Sequence, residues 1–395
     1  MIIKSLLQTD LYKFSMGAAV CQLYPYAEAE YEFINRGQHV FPEGFAAEMR
    51  REVTRMSSLG DERDVYFLNH VAPFFNPVYL GFLKSFRFNP GQVLITDEGP
   101  YNFTLKIRGP WRETILWEVP LMATICELYY KMTGIKEYNK ELDYNVLDLA
   151  VTIAWSKADK FKEMGVKFAD FGTRRRFSAD HHAKIVKVLV EGGGDSFVGT
   201  SNVELAAENG LKAIGTQAHE WTQAMAAIYG YRYANHMALE KWVEVYHGNL
   251  GIALPDTFTA ANFFKAFTMK YAKLFDGVRH DSGDPLLFAD KVIQHYGNLK
   301  IDPMSKTIVF SDGLNLETVK RIHEHCEGKI GHSFGIGTNF SCDIEGVKPM
   351  NIVIKMTRAA PNGDDWVNVV KLSDNPMKHT GDPEEIKLCK GILGV

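Results

Sequence analysis

Between Phe168 and Thr338 the chain repeats one local event six times: a short apolar run stops at small or polar residues, and helical stretches separate most of these runs. The runs end at Phe168-Ala169-Asp170-Phe171-Gly172, Phe197-Val198-Gly199-Thr200-Ser201 and Ala213-Ile214-Gly215-Thr216. Later ones end at Gly277-Val278-Arg279-His280-Asp281, Ile308-Val309-Phe310-Ser311-Asp312-Gly313 and Ser333-Phe334-Gly335-Ile336-Gly337-Thr338. Strands alternating with helices favour a parallel sheet. Six such units with chemically able residues after each strand predict a TIM-like α/β barrel carrying its site at the C-terminal rim. A doubly wound open sheet shares the same local pattern.

The flanks read differently. Phe103, Leu105 and Ile107 alternate with Asn102, Thr104, Lys106 and Arg108, a half-buried strand that Gly109-Pro110 ends. A helix capped at Thr9/Asp10 runs through Leu11, Phe14, Ala18 and Cys21, with Tyr12, Met16 and Val20 on its other side. A helix apolar nearly all round must be buried, against this chain or a second subunit. These features predict an N-terminal α+β domain over residues 1–134, followed by the barrel over 135–340. Beyond it, Ile352–Met356, the turn pair Asn362-Gly363 and Trp366–Val370 form a hairpin pattern. Residues 341–395 are therefore expected to pack back on the first domain.

Forty-four basic residues against 48 acidic ones give a net charge of -4, which argues against a broad nucleic-acid surface. No apolar stretch is long enough to span a bilayer, and Met1–Leu7 is too short for a signal peptide. The 5 cysteines are scattered without a C-x-x-C pair, as reduced thiols of a cytoplasmic protein would be. His181-His182 and His323/His325 cannot share a helix face at those spacings, so they read as surface or structural residues. No residue set reads as a dedicated metal site.

Chemistry concentrates at the strand ends. Phe171-Gly172-Thr173-Arg174-Arg175-Arg176 suits a phosphate or pyrophosphate, since guanidinium forks match phosphate oxygens; a solvated basic turn has the same sequence. Gly335-Ile336-Gly337-Thr338-Asn339 can cradle an anion with backbone N–H groups, and Ser311-Asp312-Gly313 precedes it at the neighbouring strand end. Arg279-His280-Asp281-Ser282-Gly283-Asp284-Pro285 offers carboxylates for ribose hydroxyls or Mg²⁺, or simply an Asp-Ser turn. Gly215-Thr216-Gln217-Ala218-His219-Glu220-Trp221 supplies a histidine that is either structural or a nucleophile toward ATP.

In this order, and together with Thr9-Asp10-Leu11-Tyr12-Lys13, Gly109-Pro110-Trp111 with Glu113, Gly199-Thr200-Ser201-Asn202 and Lys371-Leu372-Ser373-Asp374, these segments resemble the bacterial nicotinate phosphoribosyltransferases of the type II phosphoribosyltransferase family. The resemblance covers essentially the whole chain. It implies an irregular TIM-like α/β barrel plus an N-terminal α+β domain completed by C-terminal strands, in a homodimer with sites at the subunit interface. It further implies that nicotinate and phosphoribosyl pyrophosphate give nicotinate mononucleotide and pyrophosphate in NAD biosynthesis, coupled to ATP hydrolysis, with Mg²⁺ assisting.

By the same resemblance, the pyridine ring sits between Phe171 and Tyr12, one from each subunit, while Arg174 and Arg279 stabilise the departing pyrophosphate. Asp281 holds ribose hydroxyls, and Asp312, Gly313, Gly337 and Thr338 seat the 5-phosphate. His219 is the residue phosphorylated, oriented by Glu220 or Asp281. Nicotinamide-using relatives place an Asp where this chain has Ser201, whose hydroxyl favours an acid over an amide. Quinolinate phosphoribosyltransferase, with a related barrel and no phosphohistidine, is the alternative; a Schiff-base aldolase would want a strand-end lysine that these runs lack.

Overall fold

The computed structural model describes residues 1–135, 138–139 and 144–395. One sheet is antiparallel and places Val367–Asn368, Val353–Ala360, Glu28–Ile34, Phe103–Pro110 and Val93–Asp97 side by side in that order. The strand Phe103–Pro110 turns Phe103, Leu105 and Ile107 inward and Thr104, Lys106 and Arg108 outward, the alternation that a sheet covered on one face requires. Val353–Ala360 pairs with Glu28–Ile34, so residues far apart in sequence complete one sheet.

The second sheet has six strands, all paired in parallel: Phe197–Thr200, Lys167–Asp170, Gly331–Ile336, Thr307–Phe310, Gly277–His280 and Ile252–Ala253. Five of the six expected strand ends lie on it. The third does not: Ala213 makes one isolated bridge to Thr200, and Ile214 N–H donates to Thr200 O at 2.8 Å. Thr216 Oγ1 then donates to the carbonyl of Ile252 on the opposite edge, also at 2.8 Å. The segment Ala213–Thr216 thus bridges the two edges of the sheet, and the ring it closes is an irregular barrel. The two-residue strand Ile252–Ala253 was too short to carry a readable pattern.

Local chemistry sets the helix starts. Ser178 Oγ caps Ala179–Gly193, and Asp284 caps Pro285–Asn298 with proline at its first turn. The first helix, Leu11–Leu23, is buried without interruption from Leu11 to Val20. Its expected cap is corrected: Asp10 occupies the N-cap position but makes no side-chain cap bond, because its carboxylate is held by Ser201. Among the described residues no helix is long and apolar enough to cross a membrane.

Candidate active site

The C-terminal ends of the parallel strands, the strand Val353–Ala360 and the first helix enclose a cavity of about 480 Å³. Of the residues singled out from the sequence, Tyr12, Phe171, Arg174, His219, Arg279, Asp281, Asp312, Gly313, Gly337 and Thr338 all line this one cavity. Ser201 does not. It is buried, and its hydroxyl donates to Asp10 Oδ1 at 2.6 Å, leaving no proton for a ligand carboxylate.

His219 opens the helix His219–Tyr229 and is buried. Its Nδ1 lies 3.0 Å from Thr257 Oγ1, and its Nε2 lies 2.9 Å from Asp281 Oδ2 and 2.8 Å from Lys371 Nζ. Burial first, and the Lys371 charge second, push its pKa down to about 4, so the ring is neutral at physiological pH. Burial opposes charge on Asp281, but Arg279, the His219 hydrogen bond and Lys371 hold it well below the usual carboxylate range. Of the two carboxylates that could orient His219, the geometry selects Asp281. Glu220 turns away, accepting from Tyr31 at 2.9 Å and Trp111 Nε1 at 3.2 Å and pairing with Lys13.

His219, Asp256 and Asp281 bring three ligand atoms within 4.8 Å of one another, a spacing that a cation could use. Lys371 Nζ already fills that role, 3.3 Å from Asp256 and 3.9 Å from Asp281. Asp312 is likewise matched by Lys378 at 2.6 Å. Among the described residues this cavity therefore offers Mg²⁺ no carboxylate cage free of a protein cation.

Cations dominate the wall. Beyond Arg174 and Arg279, the cavity is lined by Arg175 of the same strand-end motif and by Arg36, Lys355, Lys371 and Lys378, which the strand-end motifs did not include. Lys355 has a pKa pushed down to about 7, by burial first and then by Lys371 and Arg174, against the pull of Glu118. Arg175 also donates two bonds to the Ile352 carbonyl, at 2.9 and 3.1 Å. Arg176 is buried beside Gln8 and Glu127, and His280 is buried between Phe288 and Phe310; neither lines the cavity. His181 and His182 are both buried, the latter 2.8 Å from Asp170 Oδ2, which decides the earlier surface-or-structural choice for structural.

Two aromatic rings lie beside the cations. Tyr12 and Phe171 both line the cavity of the one chain described. Phe171 is fixed by its backbone: its N–H donates to Ile336 O at 2.8 Å, and Gly172 N–H donates to Asp170 Oδ1 at 2.9 Å. A Cβ on Gly335 would lie 2.3 Å from the Phe171 ring, so only glycine leaves the ring where it is. Arg174 extends over the Tyr12 ring at 5.8 Å, with Asp10 at 3.7 Å and Glu118 at 3.8 Å steadying it.

Two aromatic rings, several cations and a neutral histidine within one cavity suit an acidic heterocycle and a polyphosphorylated sugar. Residues 166–394 match the family model described as the nicotinate phosphoribosyltransferase (NAPRTase) family, and residues 7–126 match its N-terminal domain. The chain belongs to the nicotinate phosphoribosyltransferase family. Nicotinate phosphoribosyltransferase of Chromohalobacter salexigens is 50% identical to it, over 100% of this chain and 99% of its own. That of Desulforapulum autotrophicum is 46% identical over 99% of each. The crystal structure of nicotinate phosphoribosyltransferase from Porphyromonas gingivalis superposes with a TM-score of 0.95 at 40% identity, covering 100% of both chains. A putative nicotinate phosphoribosyltransferase from Saccharomyces cerevisiae gives 0.92 at 32% identity, covering 100% of this chain and 98% of its own.

Proposed function

We propose that this family member joins nicotinate to phosphoribosyl pyrophosphate, giving nicotinate mononucleotide and pyrophosphate, and couples that reaction to ATP hydrolysis through phosphorylation of His219. The observation that carries the coupled part is the neutral imidazole held between Thr257 and Asp281 with Lys371 2.8 Å away. A neutral ring has a lone pair for a phosphoryl group, and a nearby ammonium offsets the charge that arrives.

In the transfer step, the pyridine ring stacks between Phe171 of one subunit and Tyr12 of the other, where offset stacking contributes about 1 kcal/mol beyond area burial. Its ring nitrogen attacks C1 of the ribose as the bond to pyrophosphate breaks. The leaving group gathers negative charge, which Arg174 and Arg279 meet, with Lys371 and Lys378 lining the same cavity. Asp281 serves ribose hydroxyls, and Asp312, Gly313, Gly337 and Thr338 seat the 5-phosphate. Mg²⁺, when bound, shields the pyrophosphate charge. Phosphorylation of His219 adds close to two negative charges beside Asp281, which draws Lys371 toward the phosphoryl group and reshapes the anion site. We place the enzyme in the cytoplasm, as a homodimer.

γ-Labelled ATP should leave acid-labile label on the wild type and none on His219→Ala, which keeps slow ATP-independent turnover. Label persisting on that variant would remove His219 from the role.

A further inference from the structure

Gln223 lies four residues beyond His219 on the helix His219–Tyr229, and both line the cavity. Residues at that spacing share one helix face, with Cβ atoms about 5–6 Å apart. Gln223 is only 1% exposed, yet neither its amide oxygen nor its amide nitrogen has a hydrogen-bond partner. A buried amide left unpaired at both ends is costly, so its partners are groups that enter the cavity. A phosphate oxygen only accepts and would satisfy the amide nitrogen alone. A water molecule donates, and so satisfies the oxygen.

We propose that Gln223 orients the water that hydrolyses phosphorylated His219. The inference rests on the phosphohistidine reading above. The amide oxygen accepts from the attacking water, and the amide nitrogen donates to a second water rather than to the phosphoryl group. The water oxygen bonds to phosphorus as the P–N bond breaks and its electron pair returns to the imidazole. One water proton stays on the phosphate released and the other restores the imidazole N–H, so that the charge is the same on both sides. Other acceptors nearby are committed or elsewhere. Glu220 is taken by Lys13, Tyr31 and Trp111, and Asp256, whose Oδ1 also lacks a hydrogen bond, does not line the cavity.

The test uses Gln223→Met, which keeps side-chain length and helix propensity. Enzyme is labelled with γ-labelled ATP and freed of nucleotide, and loss of label is timed in buffer and, separately, with ADP added. Gln223→Met should lose label to water about 10- to 100-fold more slowly than wild type, the rate equivalent of one buried hydrogen bond. Its return of label to ADP, which needs no water, should stay within about twofold, a difference smaller than one hydrogen bond produces. Equal decay in buffer would overturn the role of Gln223 while leaving phosphohistidine intact. Equal slowing of both fates would also overturn it, since that is what a generally damaged site does. Absence of label from wild type and variant alike would sink the phosphohistidine reading itself and this inference with it.

Discussion

The Ser201 hydroxyl donates to the Asp10 carboxylate across 2.6 Å, tying the end of a barrel strand to the start of the first helix. Burial raises the pKa of Asp10, opposed by Arg174 and by this hydrogen bond. Ser201 therefore fixes Asp10 and, through it, Arg174. Ser201→Asp would set a second carboxylate against a buried first one. We expect a lower thermal midpoint and a KM for nicotinate that rises more than that for phosphoribosyl pyrophosphate. Equal rises would contradict a part in substrate choice. Ser201→Ala should cost about 1–3 kcal/mol in urea unfolding, the range for an orphaned buried acceptor.

Gly335→Ala tests the part played by Phe171. The added Cβ would lie 2.3 Å from the Phe171 ring and must push it aside. Steady-state kinetics should show nicotinate KM raised about fivefold, the equivalent of one lost stacking interaction of about 1 kcal/mol, with the phosphoribosyl pyrophosphate KM changed far less.

Lys13 is fully buried between Glu118 and Glu220. Lys13→Met strands two buried carboxylates, which should cost about 3–5 kcal/mol of stability at neutral pH. Burial opposes charge on Glu118, but Lys13 holds its pKa below the ordinary value. Stability from such a group is present above the unfolded pKa and is lost as pH falls through the folded one. The gap between variant and wild type in urea unfolding should therefore shrink as pH drops into and below the carboxylate range.

Lys355 lines the cavity with a pKa pushed down to about 7, so polyanion binding there should be pH-dependent. The charged form binds and is lost as pH rises through that value, so affinity for phosphoribosyl pyrophosphate should fall above pH 7, by up to about tenfold per unit. Lys355→Met should bind more weakly at pH 6.5 and show a flattened profile up to pH 9.

Much of this was legible in the sequence because strand ends carry the site. Arg174, Asp281, Asp312 and Thr338 each follow an apolar run, and the fold brings them to one rim. Residues supplied by packing of the two sheets were hidden. Lys355 is the lone cation in Ile352-Val353-Ile354-Lys355-Met356, a signal that could have marked it, but its cavity face depends on the antiparallel sheet lying over the barrel. Lys371 lay within a motif already noted, yet nothing local says that its ammonium meets His219. Ser201 lies off the cavity lining, held by Asp10, a partner 191 residues away that no local pattern announces.

The central claim is tested most directly by product analysis with nicotinate, nicotinamide and quinolinate offered in turn with phosphoribosyl pyrophosphate, each with and without ATP. The account predicts nicotinate mononucleotide and pyrophosphate from nicotinate, faster with ATP, and little product from the other two. Release of CO₂ from quinolinate, or preferred use of nicotinamide, would contradict it.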